Sequence, residues 1–231
     1  MNSRRNDLSF LVMHFTALSL LFCWAVARAQ SGSCVPPPSG MVSWWAAEGN
    51  TADSFGPNSG LLAGGAGYAP GKVGVAFAFT NGTSYVLAPD DPNLNFGPND
   101  FSIELWVQFA SLGGSRVFIA KDEGPGGTRK WRFWLNDGQL QFLVGDGATE
   151  TLLGWASFNP VPNRWHHVAM TRSAAVFSFY VDGELSSRGT SSVAIPVINA
   201  PLTIGQGELV LYGWPGRRDH GLQSRAQCGR D

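Results

Sequence analysis

Apolar residues recur at every second position through much of this chain. From Phe101 to Phe109, the residues Phe101, Ile103, Leu105, Val107 and Phe109 alternate with Ser102, Glu104, Trp106 and Gln108. Strand side chains point alternately to opposite faces, so this spacing predicts a half-buried strand. A second signal lies at 163–183. There Arg164 to Arg172 and Val176 to Val181 flank a small-residue break at Ser173-Ala174. Phe177, Phe179 and Val181 alternate with Val176, Ser178 and Tyr180, and Asp182-Gly183 supplies a tight turn. This pattern predicts a central hairpin, with Trp165 in the core and one of His166 and His167 packed, the other exposed.

The same reading predicts an opening strand over 40–49, a loop over 50–67, and strands over 73–79, 83–88, 117–121, 130–135, 139–145 and 150–155. Asn136-Asp137-Gly138 makes a hairpin, and Pro89 to Phe96 is a turn-rich loop with room for one helical turn. Strands recur at intervals of about 8–12 residues without an amphipathic helix. That spacing predicts an all-β fold, a two-sheet antiparallel sandwich.

Composition agrees. The 231 residues include 29 Gly and 14 Pro, with only 14% charged, which suits many short strands and turns. A net charge of -1 gives no reason to expect nucleic acid or an anionic membrane as partner. Arg4 and Arg5 precede an apolar run, Phe10 to Val26, and then Ala27-Arg28-Ala29. This reads as a signal peptide over 1–29, so the expected localisation is secreted or cell surface, with no membrane span after signal removal. Removal takes away Arg4, Arg5, Arg28 and Asp7, leaving 13 basic and 16 acidic residues and a charge of -3. Residues 30–39 form a Pro-rich lead. Cys34 and Cys228 remain, and an oxidising compartment allows them to pair.

Seven segments in order carry a family resemblance. They are Gly-Met-Val-Ser-Trp-Trp-Ala-Ala-Glu-Gly-Asn at 40–50, Asp53 with Gly60, Ala-Pro-Gly-Lys-Val-Gly at 69–74, Phe-Ser-Ile-Glu-Leu-Trp-Val at 101–107, Arg-Trp-His-His-Val-Ala at 164–169, Tyr-Val-Asp-Gly at 180–183 and Pro-Leu-Thr-Ile-Gly at 201–205. Together they resemble the laminin-G-like jelly-roll domain of the concanavalin A-like lectin/glucanase superfamily, over residues 40–206. The resemblance implies a jelly-roll sandwich in a secreted or cell-surface protein. It also implies a glycan or extracellular protein as ligand, and often a structural calcium ion. Fold alone does not settle function.

The resemblance stops at Gln206. The family expects a closing strand of the type Gly-Leu-Ile-Asp-Glu-Val-x-Ile-Tyr-Asn-Arg-Ala-Leu-Ser. Trp214 to Asp231 is instead charged and glycine-rich, without period 2, and is not expected to form a strand. Codons chosen for Trp214 to Asp231 and shifted forward by one nucleotide permit Gly-Leu-Val-Asp-Glu-Ile-Met-Val-Tyr-Asn-Arg-Ala-Leu-Ser. A frameshift therefore accounts for the aberrant tail and for a missing closing strand.

Candidate chemistry is sparse. A glycosidase needs two carboxylates about 5–10 Å apart. Glu104 stands alone in its strand, and Glu48, Glu123, Glu150 and Glu184 lie in or beside turns without a same-face partner. His166 and His167, as strand neighbours, point to opposite faces and cannot easily share a metal. For calcium the candidate is Asp53, in a loop with Asn50, Asn58 and Gly60 that resembles the family's ion loop; the partner acid that the family carries on its closing strand is missing, unless Asp219 substitutes for it. For a sugar ligand, Trp134 and Trp155 beside glycine loops are the candidate stacking residues. The expectation is a non-catalytic binding or adhesion module. The alternative is a structural fragment without a ligand of its own.

Overall fold

The structure, a computed structural model, describes residues 36–206 together with the backbone of residues 220–223. The signal segment, Cys34, Cys228 and Asp219 lie outside the described residues, as does the rest of the tail. Among the described residues no helix is long and apolar enough to cross a membrane.

Fourteen strands are described. They are β1 (Leu61–Ala63), β2 (Gly67–Pro70), β3 (Val75–Phe79), β4 (Tyr85–Ala88), β5 (Phe101–Phe109), β6 (Arg116–Asp122) and β7 (Lys130–Asn136). The chain continues through β8 (Gln139–Gly145), β9 (Glu150–Ser157), β10 (Trp165–Ser173), β11 (Val176–Val181), β12 (Glu184–Thr190), β13 (Leu202–Ile204) and β14 (His220–Gln223). A 3-10 turn, Pro92–Leu94, is capped by Asp91, which accepts a bond from Asn93 N. One sheet has the order β1-β4-β13-β6-β7-β8-β9, the other β12-β11-β10-β5-β14-β3-β2. Every pairing is antiparallel.

Aromatic pairs join the sheets. Phe109 meets Phe118 at 6.2 Å, Phe142 meets Phe177 at 6.1 Å and Phe133 meets Phe179 at 6.4 Å between ring centroids. Each of these six rings is at most 1% exposed. Burying a Phe side chain stabilises by about 1.5–3 kcal/mol, so this layer supplies much of the force holding the sandwich together. Phe101 to Phe109 is the strand its alternation predicts, and β10–β11 is the predicted hairpin. Asp182 and Gly183 both take positive φ, 50° and 88°, to turn the chain from β11 into β12.

Four expectations need correction. Residues 40–49 form no strand. Trp45 makes one isolated bridge to Asp53, and positive φ at Ala47 and Gly49 breaks the extended path. The predicted loop 50–67 contains β1, too short for a visible alternation. Trp165 is not core: its neighbour His166 takes the inward position at 5% exposure, and Trp165 lies half-buried on the outer face. The tail does contribute a strand. The backbone of β14 pairs with both β3 and β5, with His220 opposite Phe79 and Phe109 and Leu222 opposite Phe77 and Val107. An empty lane between two paired strands offers backbone partners whatever the side-chain pattern, which is why period 2 did not reveal it.

Candidate functional site

Strands β6 to β9 form a meander whose inner face is core and whose outer face is organised in rows. The two-residue turn Asp137-Gly138 sets Asn136 opposite Gln139, and therefore Trp134 opposite Gln141. A bulge between Phe142 and Leu143 then sets Gln141 opposite Trp155. Leu135, Leu140 and Ala156 point inward, at 6%, 0% and 1% exposure, so Trp134, Gln141 and Trp155 all point outward. Both predicted stacking residues thus share one face, in one row, with a carboxamide between them. They are two inter-strand spacings apart, roughly 10 Å.

Trp155 is 50% exposed, and Leu152, in the next row, is 43% exposed. These two side chains form a small exposed apolar strip, and their neighbours Gln141 and Leu143 are buried, at 8% and 9% exposure. Trp134 is half-buried, with the Arg132 guanidinium 5.0 Å from its ring centroid. Gln141 Nε2 donates to Gln139 Oε1 at 3.0 Å, and Ser115 Oγ donates to Asn136 Oδ1 at 2.5 Å. One edge of the strip is therefore lined with amides.

The other edge is charged. Asp122 is in register with Lys130, Lys130 with Gly145, and Gly145 with Glu150. Lys130 Nζ lies 3.1 Å from Glu150 Oε1 and 3.5 Å from Asp122 Oδ1. Arg132 reaches Glu150 Oε1 at 3.1 Å and Asp122 Oδ2 at 3.8 Å. This corrects the expectation that Glu150 lacks a same-face partner: strand register brings Asp122 to the same cations. Both carboxylates meet the same two cations, however, and Asp122 is only 4% exposed.

Elsewhere the predicted residues do other work. Asp53 is a backbone anchor. Its Oδ1 accepts from the N–H groups of Trp44 at 2.9 Å, Phe55 at 3.0 Å and Gly56 at 2.8 Å, and its Oδ2 accepts from Asn58 N at 3.1 Å. Burial pushes its pKa up, but the N–H groups of Gly56, Trp44 and Phe55 outweigh that and hold it below its ordinary value. The calcium implied by the family resemblance does not fit here. Calcium takes six to eight oxygen ligands, and this carboxylate faces four N–H donors. Among the described residues no group of three or more His, Cys, Asp and Glu side chains converges to hold a metal ion.

His166 and His167 point to opposite faces as expected. His166 Nδ1 bonds Asp182 Oδ2 at 2.9 Å, its Nε2 accepts from Val161 N at 3.3 Å, and its ring packs edge-on against Phe158. It locks the β10–β11 hairpin to the loop before it. His167 lies outward beside Trp106, at 5.3 Å between ring centroids and 3.6 Å from Glu104 Oε2. Lys72 Nζ sits 5.1 Å from the Trp106 ring, as the Arg132 guanidinium sits 5.0 Å from that of Trp134.

Sequence reasoning found both tryptophans of the row but missed Gln141, Leu152, Arg132 and the charged quartet. The Asp137-Gly138 turn alone would have paired Trp134 with Gln141. The bulge that adds Trp155 leaves no sequence signal.

Comparison with known proteins bears on this geometry. The family model described as the concanavalin A-like lectin/glucanases superfamily matches residues 80–220. Among solved structures, the chain is similar to domain 4 of an extracellular arabinanase from Geobacillus stearothermophilus, solved in complex with arabinotriose. The TM-score is 0.59 and the identity 18%, covering 79% of this chain and 91% of that one. It is also similar to the botulinum neurotoxin serotype D ligand-binding domain in complex with N-acetylneuraminic acid, with TM-score 0.56 and 11% identity, covering 80% of this chain. A botulinum neurotoxin type C structure concerned with two ganglioside molecules gives TM-score 0.59 at 14% identity. The chain spans under half the length of these neurotoxin chains, 46% in each case. At such identities the likeness shows the fold alone. No curated protein matches the chain.

Proposed function

Because this chain belongs to the concanavalin A-like lectin/glucanase superfamily, we propose that it is a non-catalytic carbohydrate-binding module of an extracellular protein, with the outer face of β7–β9 as its binding face. The observation that carries this reading is the row Trp134–Gln141–Trp155, with Trp155 half exposed on a rigid strand. A sugar presents C–H groups on one face and hydroxyls around its rim. An indole face offers the C–H groups apolar area and a negative quadrupole, while flanking amides bond the rim. Domain 4 of the arabinanase, solved with arabinotriose, and the neurotoxin domain solved with N-acetylneuraminic acid support a sugar ligand on this fold.

A structural calcium ion forms no part of the proposal, since the Asp53 donor set does not accept one. Extracellular placement rests on the apolar N-terminal segment and on the relatives' setting. The test is a glycan array probed with the protein and with Trp155→Ala. Binding that disappears in the variant supports the reading. Equal binding by both removes this face from it. A hydrolase reading draws on Asp122 and Glu150, and it requires turnover on a panel of neutral polysaccharides that is lost in Glu150→Gln.

A further inference from the structure

Independently of any sugar ligand, we infer a covalent modification site in the first sheet. Lys121 Nζ and Asn95 Cγ join in an intramolecular amide bond, with Asp90 as proton carrier and release of ammonia.

The nucleophile is placed by strand register. Lys121 lies on β6 opposite Trp131 of β7 and Leu202 of β13. Opposite residues share a face, and both neighbours belong to the hydrophobic core, at 1% and 2% exposure. An amine thus stands in an apolar row on the inner face, with its side chain fully buried. Its Nζ meets two groups of the β4–β5 connection, Asp90 Oδ1 at 2.6 Å and Asn95 Oδ1 at 3.3 Å.

The electrophile is held from two sides. Asn95 ends the 3-10 turn, and its backbone N–H bonds Pro92 O. Its Oδ1 accepts from Ile198 N at 3.0 Å as well as from Lys121 Nζ. Two donors on the amide oxygen draw electrons from Cγ. The Ile198 N–H stays in place to hold the negative oxygen that forms on attack. Amine, amide and acid are already assembled in the folded chain, so the reaction needs little further ordering.

Protons and charge balance without a co-reactant. Asp90 takes a proton from the Lys121 ammonium, and the neutral amine attacks Asn95 Cγ. Both nitrogens are then on one carbon, so a carboxylate bonded to one is within reach of the other. Asp90 passes the proton to Nδ2, the Cγ–Nδ2 bond breaks, and the Cγ–Nζ bond becomes an amide. A second proton from Nζ departs with the ammonia as ammonium. The new amide is neutral, and Asp90 ends as the carboxylate it began as. Its side chain is 37% exposed, so water replaces its lost partner. Keeping an ammonium buried is costly, and the product buries none. β6 is the middle strand of its seven-stranded sheet, so the bond ties the β4–β5 connection to the centre of that sheet.

The experiment is tryptic peptide mapping by mass spectrometry on the full chain, shown by circular dichroism to be folded. The expected result is loss of cleavage after Lys121 and a branched peptide joining residues 73–116 to residues 117–129. That peptide is lighter by one ammonia than its two parts. Asp90→Ala is expected to restore cleavage after Lys121 and remove the branch, and Asp90→Glu to recover it. Linear, unmodified peptides 73–116 and 117–121 from the folded chain overturn the proposal. So does ammonia lost within 73–116 without a branch, the mark of cyclisation at Asn81-Gly82. A branch lighter by one water overturns Asn95 as the acceptor and moves the bond to Asp90. A branch undiminished in Asp90→Ala overturns the proton-carrier role.

Discussion

Replacing Asp53 with alanine should destabilise the protein without changing any response to calcium. The side chain closes the loop between Trp44 and Asn58 by accepting four backbone N–H bonds at 2.8–3.1 Å. Around it Asn58 Nδ2 bonds Ser43 Oγ and Asn93 Oδ1, and Trp45 Nε1 donates to Asn58 O. Alanine leaves four donors to find other acceptors. Hydrogen bonds to a charged group are worth about 1.5–3 kcal/mol each, but they are not additive, and water can reach Phe55 N and replace part of the loss. A net cost of about 2–4 kcal/mol follows. For a domain of this size that is a drop of roughly 5–15 °C in Tm. Asp53→Asn separates charge from geometry. Its Oδ1 can still serve three donors, but its Nδ2 would face Asn58 N–H, so an intermediate loss is expected. The assay is thermal unfolding followed by circular dichroism, for all three proteins, with calcium and with chelator. A Tm for Asp53→Ala within about 2 °C of wild type would refute the anchor argument. So would a calcium-dependent rise in Tm present in wild type and absent in the variant, since that requires the carboxylate to hold the ion.

Two further outcomes follow from the same structure. Asp53, Asp146 and Asp182 all titrate below the ordinary carboxylate value. For Asp182 burial opposes this, but the bonds from His166 and from His167 N–H prevail. In the window between the folded and the ordinary value, 3.8, the unfolded chain binds more protons. Their stabilisation is therefore fully present above that value and is lost as pH falls below it. Tm measured from about pH 6 down to pH 3 should hold and then fall; a flat profile would contradict the bonding described. Gly154→Ala should also destabilise, by about 1–3 kcal/mol, because a Cβ there would meet Cε2 of the fully buried Phe179 at 2.7 Å. Urea unfolding measures it, and an unchanged midpoint would mean that Phe179 moves aside freely.

Sandwich class, the central hairpin and strands β5, β7 and β8 were legible because period-2 alternation is the direct imprint of one buried face. β1, β2 and β12 were not. They are edge strands with one neighbour each and no buried residue, so burial selects no alternation in them. Trp165 misled for a related reason. An outward tryptophan on a covered sheet is half-buried, and composition cannot tell it from core. The candidate face was half legible. Trp134 and Trp155 are named by type and position, but their shared row depends on a turn register and a bulge. Asp122 and Glu150 sit far apart in the chain, at opposite ends of a four-strand row, and only side-chain reach brings them to the same cations.

The proposed binding face and β14 belong to different sheets, and this separates their consequences. β14 lies between β5 and β3 in the second sheet, whereas β6 to β9 are consecutive in the first, joined by short connections and registered against one another. β14 reaches only Trp106 to Phe109 of the nine-residue β5, so among the described residues Phe101 to Leu105 pair with β10 alone. Replacing residues 214–227 with the shifted-frame segment Gly-Leu-Val-Asp-Glu-Ile-Met-Val-Tyr-Asn-Arg-Ala-Leu-Ser would lengthen that pairing and add apolar side chains to the lane. Two such side chains buried contribute about 3–6 kcal/mol, or roughly 10 °C in Tm. The face on β7–β9 needs no partner from β14, so its affinity per folded molecule should stay the same. Calorimetric Kd together with thermal melts of both chains tests the separation. A higher Tm with equal Kd is the expected pair of results. An unchanged or lower Tm would show that the written tail already serves the lane, and the frameshift account of residues 207–231 would lose its structural support.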